Sequence, residues 1–331
     1  LVHAVLPREQ MIAAAKEWLR ANPGAKQPWD DPKFKLPSNK VHTAAGMQIW
    51  PPASAIYRRE TNDNYPAARA ILNSVYEGLQ LPIDLGLRVE SRYFAKILRS
   101  KEAAAMIRTL FVSMQELNKG ARRPADVPTS KIRKVGVVGA GFMGAGIAYV
   151  TANAGIEVVL VDRDQEAADK GKAYSHKLLS DQIAKGRAKT ADRDALLARI
   201  TATPDYGALK GCDLVIEAVF EDPKVKAEVI TKIEAVVGPK CIFGSNTSTL
   251  PITGLATHSV RPKQFIGVHF FSPVEKMLLV EIIMAKKTGK KALAMALDYV
   301  RAIKKTPIVV NDGRGFYANR CVGNYIKEGH L

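Results

Sequence analysis

The chain has 331 residues, of which 49 are Lys or Arg and 32 are Asp or Glu, so its formal net charge at pH 7 is +17. A composition with 47% hydrophobic and 24% charged residues is that of a folded globular protein, and it excludes extensive disorder. The sequence contains no run of about 18 apolar residues and no pattern of a signal peptide, so we predict neither a membrane span nor secretion.

The cysteines and histidines give no sign of a disulfide framework or a metal site. Cys212, Cys241 and Cys321 are far apart and odd in number, and they form no CxxC pair. The six histidines form no HxxxH or HExxH pair. We therefore predict a protein of the reducing cytoplasm that needs no metal.

The positive charge is compatible with a solvated basic surface, with an anionic small-molecule ligand, or with nucleic acid. The excess is spread over the chain, with small clusters at residues 131–134, 286–291 and 304–305. No zinc, RNP or recognition-helix signature accompanies the charge. We therefore predict no nucleic-acid partner.

The first 119 residues are predicted to be mainly helical. Residues 7–20 form a short amphipathic pattern, and residues 66–119 repeat apolar side chains at three- and four-residue spacing. Residues 21–52 are rich in Pro, Lys and Asp and are predicted to be irregular. Residues 120–130 combine proline, glycine and small polar residues, which is typical of an interdomain linker.

Residues 131–315 show strands that alternate with helices. The short apolar or aromatic runs predicted as strands are 135–139, 157–162, 213–219, 241–245, 265–270, 279–284 and 308–310. The predicted helices are 145–153, 165–185, 225–237 and 290–303. Continuous apolar runs suit strands buried on both faces, and the alternation predicts an α/β fold with a doubly wound parallel sheet.

A glycine motif follows the first of these strands. Gly139, Gly141 and Gly144 form GxGxxG between a strand and a helix. The first glycine allows the tight turn, the second lets the backbone approach a pyrophosphate, and the third lets helix and strand pack closely. The N-terminus of that helix attracts phosphate, so the motif predicts a Rossmann-type dinucleotide site.

The residue after the second strand bears on the choice of cofactor. Asp162 ends that strand, where a carboxylate can bind ribose hydroxyls and repels a 2′-phosphate, which favours NAD over NADP. Arg163 follows directly and leaves NADP open, because an arginine there can accept the extra phosphate.

Polar residues stand at the ends of two further predicted strands, and a carboxylate lies inside a third apolar run. Ser245–Ser248 and the segment 267–273, which contains His269, stand at strand ends, where side chains face the ligand crevice. Glu281 lies inside an apolar run and needs a buried partner. A His269–Glu281 pair would suit a base that takes an alcohol proton during hydride transfer. A core histidine bonded to backbone is the equally weighted alternative.

Motifs from residue 135 to 319 together resemble the 3-hydroxyacyl-CoA dehydrogenase family. They are GAGFMG (139–144), VDRD (161–164), IEAVFED (216–222), SNTSTL (245–250), GVHFFSPV (267–274), LVEII (279–283) and GRGFYANR (313–320). The resemblance implies oxidation of (S)-3-hydroxyacyl-CoA to 3-oxoacyl-CoA with NAD, in fatty-acid β-oxidation. It also gives the basic surface an anionic partner, the acyl-CoA thioester.

The resemblance also implies roles for individual residues. His269 would be the catalytic base and Glu281 its orienting carboxylate, while Ser248 and Asn319 would hold the substrate oxygens and the nicotinamide end. The cofactor contacts it implies are Gly139, Gly141, Met143, Gly144, Asp162, Val219, Phe220, Glu221, Lys226, Ser248 and Ser272. Ser272 departs from the asparagine usual in the family, and its shorter side chain leaves that contact open.

Residues 1–119 resemble the tail of an enoyl-CoA hydratase domain and the connection that follows it in multifunctional fatty-acid oxidation alpha subunits. The resemblance is carried by PREQMIAAAKEWLR (7–20), QPWD (27–30) and the helical region 86–117. We expect a chain that is part of a longer protein and lacks the hydratase core, and hence no hydratase activity. Residues 316–331 would only begin the C-terminal helical dehydrogenase domain, so turnover is expected to be weak or absent. The parent protein is expected to be cytoplasmic and to associate with a thiolase subunit.

Two other functions stay open at the level of sequence. One is a dinucleotide-binding protein without catalysis, against which the joint presence of Ser248, His269, Glu281 and Asn319 argues. The other is a different NAD-dependent hydroxyacid dehydrogenase, which would prefer a free acid to its CoA thioester.

Overall fold

The computed structural model describes residues 4–31, 33–35 and 40–329. The chain divides into two compact units, Leu1–Gln115 and Glu116–Leu331. Among the described residues, each helix is too short or too polar to cross a bilayer.

The first unit is helical. Its helices are α1 (Met11–Ala21), α2 (Ala44–Thr61), α3 (Pro66–Gly78), α4 (Ile83–Leu98), α5 (Lys101–Met106) and a π-helical turn (Ile107–Ser113), followed by α6 (Met114–Asn118), which runs into the second unit. Its described residues bury few apolar side chains, and Ile71, Phe94 and Leu110 are each more than half exposed. The unit therefore has little hydrophobic core of its own.

The prediction that residues 21–52 are irregular is wrong over its last part, because α2 begins there. The Thr43 side chain accepts a hydrogen bond from the Gly46 amide at 3.1 Å and caps the helix. A side chain at Gly46 would lie 2.2 Å from the Val41 carbonyl oxygen, so only glycine fits this first turn. Pro51 and Pro52, which favoured a loop, lie inside the helix.

The second unit contains one eight-stranded sheet in the order β3-β2-β1-β4-β5-β6-β7-β8. The strands are β1 (Lys134–Val138), β2 (Glu157–Val161), β3 (Ile200–Thr203), β4 (Leu214–Glu217), β5 (Ile242–Ser245), β6 (Phe265–Phe270), β7 (Leu279–Met284) and β8 (Thr306–Asn311). Strands β1 to β6 pair in parallel, which confirms the doubly wound α/β fold. Strand β7 runs antiparallel to β6, and β8 is parallel to β7, so the sheet is mixed.

Helices cover both faces of this sheet. They are α7 (Phe142–Asn153), α8 (Gln165–Ala184), α9 (Thr190–Leu197), α10 (Pro223–Val236), α11 (Ile252–Leu255) and α12 (Lys290–Ala302). A last helix, α13 (Ala318–Glu328), has no buried residue. Val158 and Leu160 pack into one core with α7, α8, α9 and α12, while Val159 and Val161 pack into the other with α10 and α11. Successive side chains of a strand point to opposite faces, so one apolar run serves both layers.

The segment 120–130, predicted to be a linker, is bound to α12. The Arg123 guanidinium donates to both carboxylate oxygens of Asp298, at 2.8 and 2.9 Å, and to three carbonyl oxygens of the segment itself. The Ser130 amide also donates to Asp298, at 2.8 Å. A bidentate, largely buried ion pair therefore fixes the segment to α12.

We expect Asp298→Ala to lower the free energy of unfolding by about 3 kcal/mol, because the Arg123 guanidinium and the Ser130 amide would lose their buried partner. Urea unfolding measures the change. The control is Lys290→Ala, which breaks the exposed pair with Asp126 and should leave the unfolding midpoint almost unchanged. Equal effects of the two variants would contradict the role of Arg123.

Candidate active site

The glycine turn after β1 is shaped by close backbone packing. Gly139 has a φ of +98°, and a side chain there would lie 2.6 Å from the Ala218 carbonyl oxygen. A side chain at Gly144 would lie 1.7 Å from the Gly139 carbonyl oxygen. Gly141, in contrast, has no atom within 4 Å of the position that a side chain would take. The turn is therefore tight on its inner side and open at Gly141, where a phosphate could approach.

A cavity of about 470 Å³ opens beside this turn. It is lined by residues of the turn, of the end of β2 and of α8, among them Gly141, Phe142, Asp162, Arg163, Lys170 and Tyr174. The Asp162 carboxylate accepts the amide hydrogens of Ala140 at 2.6 Å and Arg163 at 2.7 Å. The Arg163 side chain pairs with Asp164 and is 85% exposed. Met143 packs against the core beneath the turn.

The loop after β4 contains three of the predicted cofactor contacts. Val219 packs against the core below the crevice, and Phe220 is 79% exposed at the same end of the sheet. The Glu221 side chain contacts the loop after β5. Its Oε1 accepts hydrogen bonds from the Ser248 amide at 2.8 Å and from the Thr247 hydroxyl at 2.6 Å. Hydrogen bonds and the charge of Lys226 lower the pKa of Glu221, although burial alone would raise it.

Lys226 is buried, and its ammonium contacts two carboxylates. It lies 3.0 Å from both oxygens of Glu217 and 3.1 Å from Glu221 Oε2. Sequence reasoning missed Glu217, which is fully buried at the end of β4. The signal was present, since a carboxylate inside an apolar run needs a partner.

His269 and Glu281 face each other across the antiparallel pair β6–β7. His269 Nδ1 lies 2.7 Å from Glu281 Oε2, and both side chains are buried. Glu281 Oε1 accepts the amide hydrogens of Tyr317 at 3.0 Å and Ala318 at 2.8 Å. The structure therefore has the pair that the sequence left open, not the alternative of a core histidine bonded to backbone.

The surroundings of Glu281 keep it ionised. Burial by itself would raise its pKa, but the hydrogen bonds from His269, Ala318 and Tyr317 outweigh this effect and lower the pKa. An ionised Glu281 accepts a hydrogen bond from the Nδ1–H group of His269, which fixes the tautomer and leaves Nε2 with its lone pair. The imidazole ring lies against Phe271 and Phe316, with ring centroids 4.5 and 5.8 Å away.

Asn319, at the start of α13, reaches the loop after β5. Its Nδ2 donates to the Ser248 carbonyl oxygen at 3.0 Å. The neighbouring amides of Tyr317 and Ala318 bind Glu281, so one short segment contacts both the His269–Glu281 pair and the Ser248 loop. Ser272 is exposed and precedes a cis proline.

Within residues 4–31, 33–35 and 40–329, no group of three or more His, Cys, Asp or Glu side chains could hold a metal ion. The fold and the crevice define a dinucleotide-binding α/β protein with a histidine–carboxylate pair at the carboxyl end of β6.

The family follows from comparison with known sequences. The family model for the 3-hydroxyacyl-CoA dehydrogenase, NAD binding domain, matches residues 134–313. The chain belongs to this family.

Two curated relatives are similar along the chain. The fatty acid oxidation complex subunit alpha of Shewanella putrefaciens is 38% identical over 331 residues, which are 99% of this chain and 46% of the relative. The protein of the same name from Shewanella frigidimarina is 36% identical over 329 residues, again 99% of this chain and 46% of the relative. The chain thus spans about half the length of the curated relatives it matches.

Solved structures resemble about 60% of the chain. The (S)-3-hydroxybutyryl-CoA dehydrogenase of Ralstonia eutropha is 41% identical, with a TM-score of 0.57 over 60% of this chain and 70% of that chain. The 3-hydroxybutyryl-CoA dehydrogenase of Escherichia coli K12 is 31% identical, with a TM-score of 0.58 over 60% of this chain and 42% of that chain.

Proposed function

We propose that this chain carries the 3-hydroxyacyl-CoA dehydrogenase site of a multifunctional fatty-acid oxidation alpha subunit, which oxidises (S)-3-hydroxyacyl-CoA to 3-oxoacyl-CoA with NAD. The observation that carries the proposal is the buried His269–Glu281 pair, linked through Tyr317 and Ala318 to Asn319 and the Ser248 loop. The names of the relatives and structural neighbours support the same reaction.

In this mechanism His269 Nε2 takes the proton of the 3-hydroxyl group. Glu281 holds the ring through Nδ1 and stabilises the imidazolium that forms. Ser248 and Asn319 hold the substrate oxygens, since they lie together at the neighbouring strand end. NAD, when bound, supplies the acceptor for the hydride that leaves C3.

The residues of the glycine turn fit a dinucleotide. Gly141 leaves room for the pyrophosphate, and the cavity beside it has Asp162 in its wall. NAD is favoured over NADP, because the Asp162 carboxylate repels a 2′-phosphate and the Arg163 guanidinium is paired with Asp164. The same site is assigned these further cofactor contacts: Gly139, Met143, Gly144, Val219, Phe220, Glu221, Lys226, Ser248 and Ser272.

The domain roles are part of this proposal. Residues 1–119 are the hydratase-like tail and connecting helices, 120–130 the link, 131–315 the NAD-binding domain and 316–331 the start of the helical dehydrogenase domain. The division of the chain after Gln115 supports a boundary in this region. The acyl-CoA thioester as partner of the basic surface belongs here too, while the cytoplasmic location and the thiolase partner stay predictions of the sequence.

The test is a fluorescence titration of the chain with NADH and NADPH, with and without acetoacetyl-CoA. We expect NADH to bind more tightly than NADPH and acetoacetyl-CoA to consume NADH or change its signal. Failure of NADH to bind would contradict the proposal. Consumption with free acetoacetate but not with the thioester would favour a different hydroxyacid dehydrogenase.

A further inference from the structure

A cluster of three charges, two of them buried, lies next to the loop that contains Ser248. Glu217 is fully buried, and Lys226 is 1% exposed. The ammonium of Lys226 is shared between Glu217 and Glu221, so one positive charge faces two negative ones. Burying such charges costs free energy, and apolar side chains of similar size would serve stability at least as well. Stability alone therefore does not explain why these charged residues are present.

The contacts of the cluster point to the loop after β5. Glu217 accepts a short hydrogen bond from the Ser245 hydroxyl, and Ser245 Oγ in turn accepts the Thr247 amide hydrogen at 3.3 Å. Glu221 holds the next residues, since its Oε1 accepts the amide hydrogens of Ser248 at 2.8 Å and Thr249 at 3.3 Å. Both ends of the loop are thus bound to carboxylates that share Lys226.

Glu217 also determines where Lys226 can point. Each of its carboxylate oxygens lies 3.0 Å from Lys226 Nζ, and Oε2 also accepts the Val219 amide hydrogen at 3.3 Å. The Glu217 carboxylate keeps the Lys226 ammonium buried, within contact distance of Glu221 Oε2. An amide at position 217 keeps one acceptor oxygen but turns an NH₂ donor toward Lys226 or Val219, so the ammonium would lose its ion pair with residue 217 and keep the one with Glu221.

We propose that Glu217 is a positioning residue: through Lys226, Glu221 and Ser245 it holds the Ser248 loop in the geometry that the substrate needs. The inference rests on the proposed function of Ser248. It gives Lys226 the task of orienting Glu221. Glu217 lies outside the glycine turn, so it should affect turnover more than dinucleotide affinity.

The test compares Glu217→Gln with the unaltered chain by hydrogen exchange and by kinetics with NADH and acetoacetyl-CoA. We expect faster exchange of the amides of residues 247–249, a fall in kcat of at least about tenfold, and a smaller change in the dissociation constant for NADH. Glu217→Asp keeps the charge and should restore part of kcat. If Glu217→Gln does not fold, Glu217→Asp takes its place: faster amide exchange of residues 247–249 supports the proposal, and unaltered exchange overturns it.

Asp213→Asn is the matched control. Asp213 stands directly before the opposite end of β4, where its carboxylate accepts the amide hydrogens of Arg133 and Lys134 at 2.8 and 3.2 Å. This variant should leave exchange at 247–249 and kcat unchanged. The proposal is overturned by unaltered exchange and kcat in Glu217→Gln, or by the same loss in Asp213→Asn. If the unaltered chain does not bind NADH, the proposed function fails. In that case, or if turnover is too weak to measure, the exchange of 247–249 alone decides whether Glu217 holds the loop.

Discussion

Replacement of His269 by Gln is expected to lower turnover of acetoacetyl-CoA with NADH by about 10²- to 10⁴-fold, the range that a general acid or base contributes. Glutamine can still donate a hydrogen bond to Glu281, but it cannot transfer the proton. The glycine turn is untouched, so the dissociation constant for NADH should stay nearly the same. Stopped-flow kinetics and NADH fluorescence measure the two quantities.

The control for this variant is His258→Gln. His258 is exposed in the 3₁₀ turn Ala256–His258, so its loss should change neither quantity. Turnover in His269→Gln equal to that of the unaltered chain would remove His269 from the mechanism. Weaker NADH binding in the same variant would mean that His269 shapes the cofactor site as well.

Alanine at Gly144 and alanine at Gly141 are expected to abolish NADH binding for different reasons. At Gly144 the new methyl group would lie 1.7 Å from the Gly139 carbonyl oxygen, so α7 must move away from β1 and the unit loses stability. At Gly141 the backbone has a φ of −63° and open space, so the melting temperature should not change. There the methyl group would occupy the space that a pyrophosphate needs.

Thermal melting and NADH titration of both variants separate these effects. Gly254→Ala is the control, since Gly254 in α11 also has no atom within 4 Å of its side-chain position and lies outside the glycine turn. It should leave both NADH affinity and melting temperature unchanged. Undiminished NADH affinity in Gly141→Ala would argue against the phosphate position proposed here.

The sequence predicted most strands of the second unit because strands buried on both faces carry continuous apolar runs. Phe265–Phe270 and Leu279–Met284 have the predicted bounds. Ile200–Thr203 was missed, because this short edge strand is mostly half-buried and lacks such a run. The start of α2 was missed because a single capping residue, Thr43, outweighs the loop-like composition around it.

The candidate site was only partly readable from the sequence. The glycine turn and Asp162 stand close together in the chain, and their spacing alone predicts their proximity. Glu217 was passed over, because its partners Lys226 and Ser245 belong to α10 and β5. The attachment of the segment 120–130 to α12 was not predicted for the same reason, since Asp298 lies far along the chain from Arg123.

The sequence by itself determined the local pieces of this protein, namely the dinucleotide turn, the strand–helix alternation and the residue types available for chemistry. These depend on hydrogen bonds and burial patterns between residues near one another in the chain. The tertiary structure alone decided the antiparallel direction of β7, and with it that His269 meets Glu281. It also decided that two carboxylates share Lys226 beneath Ser248. The physical reason is that such contacts join residues of different strands and helices, and only the packing of these elements on one sheet sets their distances.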